Sequence, residues 1–234
     1  VGEWYKADVE ITIKGEDTNS GIEGYKYIIV GQNTSWSENK TLGEEGDKIV
    51  IQREGITEIK IKITDNAGNE SEEELITIKK DTVAPKFETN VDVTNQALGG
   101  FKVSALASDE VSGNAAYGGQ ITYTCYITKN GQEEKVGENN TGIFEVTGLN
   151  QGTAYDIKVV AQDPAGNSNE KVGRGTTEAN TAPTWQIEPK EKSKTNTSIN
   201  LTMTAVDSDG DNLTYIIKYG AYNANGTKGA IIAT

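Results

Sequence analysis

The sequence predicts an all-β chain built from tandem Greek-key β-sandwiches. Three observations carry this: landmarks that recur at one fixed spacing, segments that alternate apolar and polar residues, and a composition of strand and turn formers. The chain has 234 residues, long for one sandwich and suited to two or three domains of about 100 residues each. Its 26 glycines supply turns, and its Thr, Ile, Val and Tyr favour strands.

The spacing is the clearest signal. Asp65-Asn66-Ala67-Gly68-Asn69 recurs as Asp163-Pro164-Ala165-Gly166-Asn167, an offset of 98. Ala84-Pro85 recurs as Ala182-Pro183 at the same offset. Asp109 lies 24 residues after Pro85, and Asp207 lies 24 after Pro183.

Between landmarks the period is two, which gives each strand one buried face and one wet face. Val9, Ile11 and Ile13 alternate with polar residues, as do Ile59, Ile61 and Ile63. Ile121, Tyr123, Cys125 and Ile127 do the same, then Tyr155, Ile157, Val159 and Ala161, then Ile199, Leu201, Met203 and Ala205. Asn130-Gly131, Gly118-Gly119 and Asp209-Gly210 mark turns. No segment of comparable length has a helical period. Many short strands in units of about 100 residues argue for Greek-key sandwiches.

Residues 149–161, Leu-Asn-Gln-Gly-Thr-Ala-Tyr-Asp-Ile-Lys-Val-Val-Ala, resemble the fibronectin type III signature. The resemblance covers residues 85–178 and implies an immunoglobulin-like sandwich. It makes Tyr155 the tyrosine-corner residue, its hydroxyl bonding to upstream backbone. Residues 1–82 are similar to bacterial Ig-like repeats through Ser20-Gly21-Ile22, Tyr25-Lys26-Tyr27 and the stretch from Asp65 to Ser71. They lack the corner tyrosine; Ile59 stands in that region. The run from Asp207 to Tyr215 resembles the front half of a cadherin-like or fibronectin-like repeat.

The expected domains are 1–82, 83–180 and 181–234. The common offset places a third Ala-Gly-Asn turn beyond Thr234, so residues 181–234 read as the first half of a domain. Half a sandwich exposes its core face and an unpaired edge. A chain cut from a longer protein, a remainder not seen, or strands supplied by a neighbouring chain would each account for this. The opening residues also read as the interior of a longer protein. Only about six precede the second strand of the first domain, which is therefore expected to lack much of its first strand.

Net charge is −13, concentrated in residues 1–82 (10 basic, 18 acidic). No stretch is strongly basic, so nucleic acid and anionic membrane are not expected partners. No run is long and apolar enough to span a bilayer, and no signal peptide is visible. One cysteine forbids an internal disulfide.

The same inventory argues against an enzyme. Without histidine there is no Ser-His or Cys-His dyad. Cys125 shares the parity of a core-facing row and reads as a buried thiol. Glu44-Glu45 and Glu72-Glu73-Glu74 read as solvated faces or turns, and no glycine loop suits a phosphate.

Two features remain. Asp207, Asp209 and Asp211 alternate around Gly210, and such His-free oxygen sets suit calcium. Asp109 occupies the equivalent place in the second domain and Asp17 in the first. In the immunoglobulin topology this loop shares an end with the incoming linker, so Asp81 and Asp163 are expected to approach Asp109. The plainer reading is solvated acidic turns, and no cofactor is assigned. Trp4 and Trp185 are expected to cap cores. Trp36 is the candidate for sugar stacking, with packing over its own sheet as the alternative.

The expected role is a non-catalytic extracellular stalk or adhesion region of a bacterial surface protein, with a protein or glycan ligand. The alternatives are an accessory region of a secreted enzyme and a phage or filament surface component.

Overall fold

A computed structural model describes residues 3–220. The chain is all-β, with tandem immunoglobulin-like sandwiches of the fibronectin type III kind. It divides into two compact units, Val1–Thr177 and Glu178–Thr234. The first unit holds two separate hydrophobic cores.

The first sandwich contains β1 (Trp4–Tyr5), β2 (Val9–Ile13), β3 (Ile22–Ile29), β4 (Lys40–Thr41), β5 (Asp47–Ile51), β6 (Gly55–Asp65) and β7 (Glu74–Lys80). One sheet has the order β1-β7-β6-β3-β4, and β2 pairs with β5 opposite it. The first strand is short but present: β1 pairs parallel to β7, with Trp4 opposite Lys79 and Tyr5 opposite Lys80. Ile59 and Ile61 face the core, as their parity requires. Tyr25 is fully buried, and its hydroxyl donates to Asp47 Oδ2 at 2.6 Å. Lys80 ends β7 as a buried cation paired with Glu54 (2.8 Å) and Asp8 (3.1 Å). The hydrogen bond it donates to Glu54 pushes its pKa above the ordinary lysine value.

The second sandwich contains β8 (Lys86–Phe87), β9 (Asp92–Ala97), β10 (Gly100–Ser104), β11 (Ala107–Ser108), β12 (Thr122–Lys129), β13 (Gln132–Asn139), β14 (Ile143–Thr147), β15 (Ala154–Gln162) and β16 (Ser168–Thr176). One sheet runs β13-β12-β15-β16. The other face is built by β14-β10-β9 and the β11-β8 pair. Tyr123, Cys125 and Ile127 of β12 meet Ile157, Val159 and Ala161 of β15 in the core. Each of the larger aliphatic side chains among them, such as Ile127, Ile157 and Val159, stabilises the fold by ~1.5–3 kcal/mol when taken out of water. Asn130 and Gly131 carry the β12–β13 turn with φ of 51° and 77°. Tyr155 closes the corner: its hydroxyl accepts the Asn150 N–H at 2.9 Å. Burial pushes the Cys125 thiol up to about 11.

In the second unit, β17 (Thr184–Lys194) and β18 (Ile199–Val206) form a hairpin. Here the parity does not lead to burial: Ile199 is 65% and Leu201 41% exposed. Trp185, Leu201, Met203 and Tyr215 line one open groove, and among the described residues Trp185, half exposed, caps no closed core. The Tyr215 hydroxyl accepts the Ala205 N–H at 2.9 Å. Residues 221–234 of the expected third domain lie outside the described residues.

Candidate functional site

The Asp-x-Ala-Gly-Asn pentapeptides are turns between the last two strands of each sandwich. Gly68 and Gly166 both take φ of +86°, where glycine alone is unstrained. Asp65 Oδ1 accepts the N–H groups of Ala67 and Asn69, and the Asn69 amide donates to Asp65 Oδ2 at 2.8 Å. These bonds, that from the Asn69 side chain foremost, hold the Asp65 carboxyl below its ordinary pKa. Asp163 and Asn167 repeat the pair at 2.9 Å.

Beside each turn lies a second recurring motif. Asp17-Thr18-Asn19-Ser20-Gly21 matches Asp109-Glu110-Val111-Ser112-Gly113 at an offset of 92. Its aspartate caps the loop backbone. Asp17 Oδ1 accepts from Asn19, Ser20 and Gly21, and Asp109 Oδ1 from Val111 (3.0 Å) and Gly113 (2.8 Å). The offset changes to 98 because the second sandwich has six more residues between its two motifs. They include the 3-10 turn Ala115–Tyr117 and Gly119. A Cβ on Gly119 would meet the Ser112 carbonyl oxygen at 1.6 Å, so only glycine lets this loop fold back on Ser112.

In the second sandwich these motifs grip the linker from the first. Asp81 is fully buried. Its Oδ2 accepts the Ser112 N–H at 2.8 Å and its Oδ1 the Val83 N–H at 3.0 Å. Its own N–H donates to the Tyr5 carbonyl at 2.9 Å. The Asn167 amide donates to the Asp81 carbonyl at 3.0 Å, and Asn169 donates to that of Pro85 at 3.2 Å. Lys6 Nζ reaches the Gly166 carbonyl at 2.8 Å. Trp4 caps no core of its own sandwich; it packs edge-on against Tyr117 of the second, centroids 6.4 Å apart.

Asp81, Asp109 and Asp163 therefore converge, with one carboxylate oxygen of each within 4.8 Å of the others. Among the described residues none of the three pairs with a lysine or arginine. Burial raises the Asp109 pKa first. The N–H bonds from Gly113 and Val111 oppose that, and the charges of Asp81 and Asp163 add to it. Five of the six carboxylate oxygens already accept an amide N–H. A calcium ion needs about 6–8 oxygens; these three acids offer six, five of which also accept an amide N–H.

Asp207, Asp209 and Asp211 form no such group among the described residues. Asp207 caps its own turn through the Asp209 N–H at 2.9 Å. Asp209 Oδ2 takes the Thr181 N–H and hydroxyl, both at 2.7 Å, and the hydroxyl bond leads in lowering its pKa. Thr181 is the counterpart of Val83, and Ala179 that of Asp81. The loop acid here replaces the missing linker acid.

Trp36 is half-buried on its own sheet. The ammonium groups of Lys26 and Lys62 each lie 5.6 Å from the ring centroid, and Glu70 pairs with both. The ring is thus engaged by protein cations. Reading from sequence missed the Asp-x-x-Ser-Gly motif, which a search at the second offset of 92 would have found.

The sequence matches no protein-family model and no curated protein. Solved structures do match. Consecutive domains of titin are 14% identical, with a TM-score of 0.52, over 75% of this chain and 61% of the other. The chain thus spans less than two thirds of that structure. Fibronectin(III)-like modules of Clostridium thermocellum CbhA are 15% identical, with a TM-score of 0.36, over 76% of this chain and 90% of theirs. The titin likeness shows the shared fold. No helix among the described residues is long and apolar enough to cross a membrane.

Proposed function

We propose that the chain is a non-catalytic spacer segment of an extracellular, bacterial cell-surface array, in which successive sandwiches are set at fixed orientations by gripped linkers. The observation that carries the reading is the burial of Asp81 between the two sandwiches, hydrogen-bonded to Ser112 of the second. A flexible tether leaves its polar groups in water; this linker exchanges water for amide partners in the next domain. The tandem sandwich fold and the absence of histidine agree with a mechanical role. The ligand of such a surface array is a protein or a glycan.

Antibodies raised against the chain and applied to intact cells of its source test the proposal. Labelling of intact cells is expected. Labelling only after permeabilisation would overturn the surface role.

A further inference from the structure

The end of the first sandwich carries the same two motifs that grip the linker in the second. Asp17, Ser20 and Gly21 correspond to Asp109, Ser112 and Gly113, and Asp65 and Asn69 to Asp163 and Asn167. The two motifs also touch: Ser20 Oγ donates to Asp65 Oδ2 at 3.0 Å, and Asn66 Nδ2 donates to the Ser20 carbonyl at 2.8 Å. In the second sandwich the Ala165 N–H donates to Ser112 Oγ at 3.3 Å.

What differs is the linker. Asn167 is buried and uses its amide twice, once on Asp163 and once on the Asp81 carbonyl. Asn69 is exposed and makes only the first of these bonds among the described residues. Ser112 gives its N–H to the linker carboxylate; Ser20 gives its N–H to Asp17 of its own loop. Asp17, Ala67, Gly68 and Asn69 all face solvent.

We infer that this end of the first sandwich is a docking platform for the outgoing linker of another module of the same kind, an Asp-Thr-x-Ala-Pro segment leaving a last strand. The linker aspartate takes the Ser20 N–H over from Asp17, which keeps the N–H groups of Asn19 and Gly21 as Asp109 keeps those of Val111 and Gly113, and the Asn69 amide donates to the aspartate's carbonyl. The first sandwich lacks the six-residue insert that bears Tyr117, so this contact involves the linker without the Trp4–Tyr117 ring pair. The inference rests on the array reading and adds to it the recognition surface and the chemistry of its partner.

Duplicating residues 1–92 ahead of the full chain tests it. This places Pro85 of the added copy 24 residues before Asp17, the spacing Pro85 keeps to Asp109. With only the downstream copy isotope-labelled, amide exchange is measured at residues 19–21 and 65–69. Exchange is expected to slow about tenfold relative to the unduplicated chain, as exposed bonds become buried ones. Asn69→Ala in the downstream copy, or Asp81→Ala in the added copy, should restore the faster rate. Unchanged exchange, or slowing that survives both substitutions, overturns the platform. Either result leaves the array reading standing, because that reading is tested by surface labelling.

Discussion

The side-chain amide of Asn167 donates to the backbone carbonyl of Asp81 at 3.0 Å, across 86 residues of sequence. A turn residue of the second sandwich thereby fixes the path of the chain leaving the first. The grip joins the Asp81 carboxylate and the Asn167 amide to backbone groups, so it can be probed one side chain at a time.

Asp81→Ala removes the acceptor for both the Ser112 and Val83 N–H groups and leaves the buried Ser112 donor unpaired. A loss of about 1–3 kcal/mol is expected, read as a lower urea midpoint. NMR relaxation should show the two sandwiches of the wild type tumbling as one body and those of the variant tumbling separately. Equal tumbling in both would remove Asp81 from this role.

Asp109→Asn has the opposite sign. The folded pKa of Asp109 is raised above its ordinary 3.8, so its ionised form disfavours the fold wherever pH exceeds that range. Neutral asparagine keeps the acceptor for Val111 and Gly113 and removes a charge beside Asp81 and Asp163. The melting temperature at pH 7 should rise above that of the wild type. The gain should vanish as pH falls below 3.8, where wild-type Asp109 is protonated too. A loss of stability at pH 7 would mean that the negative charge is needed there.

Calcium provides an independent check on the same three acids. With five of their six oxygens satisfied by N–H donors, the melting temperature in millimolar calcium should equal that in chelator. A rise of several degrees with calcium would assign a cation to Asp81, Asp109 and Asp163.

Cys125 reports on the second core. Its thiol, moved from 9.0 to about 11, carries roughly 100-fold less thiolate at neutral pH, and the side chain is fully buried. Alkylation of the native chain should be slower than that of a free thiol by at least this factor, and should become fast in denaturant. Rapid native labelling would show that β12 opens readily.

Much of the fold was legible because period-two alternation reports burial directly. Tyr123, Cys125 and Ile127 lie where their parity put them, and Asn130-Gly131 makes the turn it announced. β13 was not legible, since Gln132–Asn139 is an edge strand of mostly polar residues with no apolar alternation. Ile199 and Leu201 mark the other limit: alternation identifies a face, but burial depends on an opposing sheet. The convergence of Asp81 and Asp163 on Asp109 followed from topology. Their amide partners did not, because Ser112 and Val83 contribute main-chain N–H groups that no side-chain identity records.

The fixed distance from Pro85 to Asp109 has a consequence for how such chains recombine. The linker is held at both ends, by Lys80 on Glu54 and Asp8 of the first sandwich and by Asp81 on Ser112 of the second. An exchange that cuts between two sandwiches would therefore separate a linker from the loop that recognises it. A cut ahead of Asp81, in the last strand of the preceding sandwich, transfers the linker together with the Ser112 and Asn167 that hold it. The heritable module is one linker with the whole sandwich that receives it, beginning a few residues ahead of the visible globule.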